Sequence, residues 1–177
     1  MARGDTRERI QQVARELFVA QGVQATSLQD IANKLGITKP ALYYHFASRE
    51  ELVRSIITPM LADLEGFVTA IEARPEQDGR ALLEGFFDVH LKHRDILLLA
   101  VREMTTLEDL GLLDVVIAWR TRLGEMLVGP DAPLARQCQA VVAFGGLADC
   151  AWAFDHVPVE TLRPVAVDAA CATLGIT

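Results

Sequence analysis

One stretch, SLQDIANKLGITKPALYYHFASREEL from Ser27 to Leu52, constrains the fold more than any other part of the chain. Leu28, Ile31, Ala32 and Leu35 recur at helical spacing and form one apolar stripe. Ser27, with Asp30 three residues on, reads as an N-terminal cap followed by an acid in the first turn, where the helix dipole favours it. Gly36 sits where a left-handed residue closes a helix. Thr38 caps a second helix, and Pro40 falls in its first turn, where a missing N–H costs nothing. That helix must stop near Phe46, because Ser48-x-x-Glu51 is a capping box that opens a third. Two short helices joined by a glycine-containing turn are a helix-turn-helix signature.

The faces of the second helix then follow from helical geometry. Leu42 and Phe46 lie four apart, share one face and pack inward. Pro40, Ala41, Tyr43 and Tyr44 are left pointing outward or sideways. Thr38, Lys39, Tyr43, His45 and Arg49 surround that face with hydroxyls and positive or titratable groups. Such a helix suits the major groove of a duplex flanked by phosphates. A plain helical hairpin with solvated aromatics is the competing interpretation, but two adjacent exposed tyrosines are costly without a partner.

These residues also carry a family likeness. The segments are Ala14-x-x-Leu17-Phe18-x-x-x-Gly22, Thr26-Ser27-Leu28-x-x-Ile31-Ala32, and Gly36-Ile37-Thr38-x-Pro40-Ala41-Leu42-Tyr43-Tyr44-His45-Phe46-x-Ser48-Arg49-Glu50-x-Leu52. From Arg9 to Ile57 the chain resembles the tetracycline-repressor (TetR) family of bacterial transcription regulators. Arg49 stands where lysine is usual, which preserves the charge. The resemblance implies a helix that links two domains and transmits ligand binding, and two-fold dimers formed through the last long helices. Motif and helix geometry together give Thr38, Pro40, Ala41 and Tyr44 as base-edge contacts. Thr26, Ser27, Lys39, Tyr43, His45 and Arg49 are the expected phosphate contacts.

The net charge of −7 fits a DNA binder only when split along the chain. Residues 1–55 hold 8 Lys+Arg against 6 Asp+Glu, and residues 56–177 hold 9 against 18. A mildly basic head and an acidic remainder keep the second part off phosphates. With 51% apolar and 23% charged residues the chain can bury a substantial core. Three cysteines, Cys138, Cys150 and Cys171, lack the C-x-x-C spacing of a zinc site and are odd in number for a disulfide framework. The start of the chain has no signal-peptide pattern and no run is apolar enough to span a bilayer, so a cytoplasmic location is expected.

Outside the central stretch only helical periods appear. Asp5-x-x-Glu8 can cap a first helix whose stripe is Ile10, Val13, Ala14, Leu17 and Phe18, with Gly22 at its end. Arg3, Arg7 and Arg9 near its start form a candidate arm for phosphate or minor groove. The helix after Ser48 carries Leu52, Val53, Ile56, Ile57, Met60, Leu61 and Leu64, and Pro59 should kink or interrupt it. Arg74 to Gly79 is a turn. Further helices are expected from Ala81 to His93, from Leu112 to Leu127, from Pro133 to about Phe154, and from Thr161 to near Gly175 with Pro164 in its first turn. Ile96 to Val101, capped by Asp95, reads as a short helix apolar all round and hence buried.

The expected fold is therefore all-α, with about nine helices. Residues 1–47 form a three-helix DNA-binding head and 48–177 a ligand-binding and dimerisation domain, with helix 48–73 linking them. Gly145-Gly146 inside an uncharged helix suggests close approach of another helix, and helices 133–154 and 161–175 are the candidate homodimer interface. Asp149, expected to be buried, with Trp152, His90, Glu103, Met104, Trp119 and Met126, are the candidate pocket residues. His90 and His93 have no third ligand at metal spacing, and no glycine-rich phosphate loop, G-x-S-x-G or H-E-x-x-H occurs. No cofactor, metal or enzymatic activity is expected. The resulting function is a dimeric regulator of double-stranded operator DNA, most simply a repressor released by a small apolar ligand. Its rivals are a helical-bundle carrier or enzyme, and a regulator without a small-molecule effector.

Overall fold

In the computed structural model, residues 3–74 and 78–176 are described, with side chains from Thr6 onward. The side chains of Arg3 and Asp5, and the middle of the Arg74–Gly79 turn, lie outside the described residues. Ten α-helices and no strand occur among the described residues. They are α1 (Arg3–Gln21), α2 (Leu28–Leu35), α3 (Lys39–His45), α4 (Arg49–Glu72), α5 (Gly79–Lys92), α6 (Arg94–Arg102), α7 (Met104–Asp109), α8 (Leu112–Val128), α9 (Leu134–Ala153) and α10 (Val159–Leu174).

Packing divides the chain into two compact units. The first comprises residues 1–59 with 98–112, and the second comprises 60–97 with 113–177. The head thus extends past residue 47 to Pro59 and recruits a segment from the middle of the chain.

In the first unit, the apolar stripes of three helices meet. Ile10, Ala14 and Phe18 of α1, Ile31 and Ala32 of α2, and Leu42 and Phe46 of α3 and its C-cap are all fully buried. Leu52, Val53, Ile56 and Ile57 of α4 complete the core. Burying side chains of this size contributes about 1.5–3 kcal/mol each. Three polar clasps tie the recruited segment in. Arg102 donates to the Val19 carbonyl at 2.6 Å, Glu103 accepts from the Val23 amide at 2.8 Å, and Arg54 donates to the Leu110 carbonyl at 2.9 Å.

Pro59 does not interrupt α4, which runs on to Glu72. A proline nitrogen cannot donate to the carbonyl four residues back, which is that of Ser55. Gln11 Nε2 of α1 occupies that vacancy, donating to the Ser55 carbonyl at 3.3 Å and to its hydroxyl at 3.0 Å. Tertiary packing therefore compensates the expected break.

The second unit packs α5, α9 and α10 on one another. Leu82, Leu83, Phe86 and Phe87 meet Ala143, Phe144, Leu147, Leu162, Val167 and Leu174, with Phe86 edge-on to Phe144 at 4.8 Å. Arg163 reaches Asp88 at 2.7 and 2.9 Å, joining α10 to α5. Between α4 and α8, Arg122 holds Glu72 at 2.7 Å and Trp119 donates to Glu65. Gly85 is required where α5 crosses α4, because a Cβ there would stand 2.4 Å from the Phe67 ring.

Several expectations fail for identifiable reasons. The Ile96–Val101 run is not buried all round; α6 is amphipathic, and Val101 is 47% exposed. Helix α7 carries too few apolar positions to show a period. Pro164 lies in the second turn of α10, because the helix opens earlier, after Pro158.

His90 is buried, donates through Nδ1–H to the Phe86 carbonyl 2.8 Å away, and lies tilted against the Phe86 ring. Burial chiefly, with repulsion from Arg120 and His93, pushes its pKa from 6.5 down to about 4. The unfolded chain therefore binds the proton first, and this histidine lowers stability as pH falls from 6.5 towards 4. His90→Gln keeps a donor for the carbonyl without titrating. Unfolding free energies measured across that window should fall less steeply in the variant, the difference amounting to roughly 3 kcal/mol at most.

Candidate nucleic-acid interface

The presentation of α3 begins with its caps. Ser27 caps α2: its hydroxyl accepts from the Asp30 amide at 3.1 Å while the Asp30 carboxylate accepts from the Ser27 amide at 2.9 Å. The Ser27 hydroxyl and amide together hold that carboxyl below its usual range. Gly36 adopts φ 67°, ψ 29° and closes α2 in the left-handed region. Thr38 then caps α3, accepting from the Ala41 amide at 3.3 Å. Between these caps the chain turns so that Leu42 and Phe46 are fully buried.

What remains on α3 is exposed. Thr38, Lys39, Pro40 and Ala41 all face solvent, and Tyr43 and Tyr44 are 46% and 62% exposed. Lys39 Nζ lies 5.7 Å from the centre of the Tyr43 ring. Tyr44 stands edge-on to the half-buried His45 at 5.3 Å. Ser27 is also exposed. The helix N-terminus, a lysine, four hydroxyls and an imidazole thus occupy one end of the unit.

Two of the expected phosphate contacts serve the fold instead. Thr26 is completely buried; its hydroxyl donates to the Gly22 carbonyl at 2.7 Å and accepts from Gln21 Nε2 at 3.1 Å. Arg49 donates to the Val23 and Gln24 carbonyls and to the Gln24 side chain, bracing the α1–α2 turn. Arg7, expected in a free arm, donates to the His45 carbonyl at 2.7 Å and lies 4.1 Å from the Phe46 ring centre. It closes the C-terminal end of α3. Polar residues beside a turn satisfy backbone groups before they meet a ligand.

The expected pocket residues are not brought together. Glu103 accepts from Val23 and Thr106, and Met104 is half exposed, both in the first unit. His90 and Trp119 are buried in the second, Met126 and Trp152 half-buried. Asp149 is exposed and accepts from Trp152 Nε1 at 3.4 Å, so it is not a buried carboxylate. His93 meets Asp63 at 2.7 Å. Among the described residues, no group of three or more His, Cys, Asp or Glu could hold a metal, and no helix is long and apolar enough to cross a membrane. A groove of about 350 Å³ lies between α8 and α9, and none of the seven candidates lines it.

The geometry matches what is known of one family. Residues 10–56 fit the model of bacterial regulatory proteins of the tetR family. The likeness to the tetR family rests on this N-terminal segment. The chain is 41% identical over 61 residues to the HTH-type transcriptional regulator SrpR of Pseudomonas putida, a match covering 34% of the chain and 29% of SrpR. It is 42% identical over 72 residues to the HTH-type transcriptional repressor KstR2 of Rhodococcus jostii, covering 41% of the chain and 35% of KstR2. The matches thus span less than half of these relatives' length.

The fold likeness extends further. A transcriptional regulator from Aquifex aeolicus aligns over 93% of this chain and 96% of its own, with TM-score 0.74 and 21% identity. AmtR of Mycobacterium smegmatis aligns over 97% and 86%, with TM-score 0.77 and 17% identity.

Because the buried Thr26 hydroxyl serves two partners, Thr26→Val should cost about 1–3 kcal/mol and lower the unfolding midpoint. Tyr44→Ala, at an exposed position, should leave that midpoint nearly unchanged. Thermal melts of both variants check this.

Proposed function

We propose that this protein is a homodimeric DNA-binding repressor of the TetR family, released from its operator by a small, largely apolar ligand. The observation that carries the DNA-binding part is the outward Tyr43–Tyr44 pair above a fully buried Leu42 and Phe46. A carrier or enzyme has no use for two solvated aromatics on the exposed face of a short helix, whereas a groove-reading helix does. Thr38, Pro40, Ala41 and Tyr44 are the base-edge contacts; Pro40 and Ala41 read thymine methyls or exclude bulk. Ser27, Lys39, Tyr43 and His45 hold phosphates. Thr26 and Arg49 position the turn that presents them.

Dimerisation is supported by the outer faces of α9 and α10. Leu134, Val141, Val142 and Val165 are 60–75% exposed, more apolar surface than a solvated helix pair carries. A Cβ on Gly146 would meet nothing within 4 Å, which leaves α9 open to close approach. A second copy related by a two-fold axis would bury this face as a four-helix interface. The second unit, residues 60–97 with 113–177, forms the ligand-binding and dimerisation part, and the protein works in the cytoplasm with its DNA.

A gel shift with the promoter DNA beside the gene tests the reading, and Tyr44→Ala should abolish the shifted band. Lys39→Ala should weaken binding to all sequences alike and lower the slope of log K against log salt by about 0.9. A changed operator preference in that variant would contradict the sorting of contacts.

A further inference from the structure

Within the first unit, Arg7 reaches from α1 to the backbone of α3. Its Nη1 donates to the His45 carbonyl at 2.7 Å, and its guanidinium carbon stands 4.1 Å from the centre of the Phe46 ring. His45 is the last residue of α3 and Phe46 its C-cap. A helix leaves its last carbonyls without intrahelical donors, and a cation is favoured at that end. The half-buried Arg7 meets both conditions with one planar group, since an N–H takes the carbonyl while the cation stands over a fully buried ring.

The other end of α3 is fixed by local means. The Ile37 amide donates to the Ala32 carbonyl at 3.0 Å, and the Thr38 hydroxyl accepts from the Ala41 amide at 3.3 Å. Burial of Leu42 and Phe46 sets the rotation of the helix about its axis. Apolar burial is non-directional, however, and tolerates small tilts. A charge-assisted hydrogen bond has a length and an angle to keep, so the bond from α1 holds the C-terminal end more sharply. The scale of a tilt decides its importance. A helix of seven residues is ~10 Å long, and a swing of about 10° about its N-terminal end carries the other end roughly 2 Å. A hydrogen bond to a base edge survives only a few tenths of that.

We propose that Arg7 is a positioning residue for operator recognition: it sets the tilt of α3, and so the reach of Tyr44, without itself touching the duplex. The proposal rests on the regulator reading above. It gives Arg7 a part distinct from that of Lys39, which meets phosphate directly.

Fluorescence anisotropy on the full chain tests it, with the promoter duplex beside the gene and a scrambled duplex of equal length, each over a range of salt. Arg7→Ala should bind the promoter duplex about tenfold more weakly and the scrambled duplex as the wild type does, with the salt slope unchanged. Arg7→Lys keeps a cationic donor for the carbonyl and should recover most of the loss. Hydrogen exchange on the free protein should show faster amides in Arg7→Ala confined to α3. A salt slope lowered by about 0.9, with both duplexes weakened alike, would make Arg7 a phosphate contact and overturn the proposal. Faster exchange spread through α1, α2 and α4 would overturn it too, as the mark of a purely structural role. A wild-type preference for the promoter duplex that Arg7→Ala retains in full sinks this proposal alone. Absence of any such preference in the wild type sinks the regulator reading itself.

Discussion

A seven-residue helix has no independent stability in water, so α3 exists because something holds it. What holds it is the burial of Leu42 and Phe46 against α1, α2 and α4, both at zero exposure. Every other property of the recognition surface follows from that anchorage. With two positions turned inward, helical geometry leaves Pro40, Ala41, Tyr43 and Tyr44 no place but the outside. The caps at Ser27 and Thr38 and the left-handed Gly36 refine the aim, but they contribute only about a kilocalorie each. The core decides the orientation.

The polar residues of the head divide by a simple rule. Those next to a turn or a helix end are consumed by the backbone groups that such places leave unpaired. Thr26, Arg7 and Arg49 all sit there, and all three are engaged by carbonyls. Those in the first turns of α3 lie on its exposed face, where Lys39 Nζ stands 5.7 Å from the centre of the Tyr43 ring. Charge and hydrogen-bonding capacity alone do not separate the two sets; distance from an unsatisfied backbone atom does.

This rule also marks how far the residues could be read before the fold was known. Caps, apolar stripes and the outward tyrosines are local, encoded within a turn or two, and the central stretch was legible almost residue by residue. Long-range acceptors were not. That Arg49 would meet carbonyls 25 and 26 residues away, or Glu103 an amide 80 away, depends on packing that no spacing announces. The pocket suffered most. Asp149 was singled out because its neighbours are apolar, yet apolar neighbours on α9 belong to an open face rather than a core, and the carboxylate is solvated. Helix α7 escaped because six residues cannot establish a period.

The bond from Gln11 to Ser55 has a mechanical meaning. A proline normally loosens a helix by leaving one carbonyl idle, and here an amide borrowed from a distant helix fills the gap. The repair ties the two helices at one level along their axes. Sliding or twisting of the first half of α4 past α1 would tear that bridge, so one glutamine adds a fixed register to the packing of the pair.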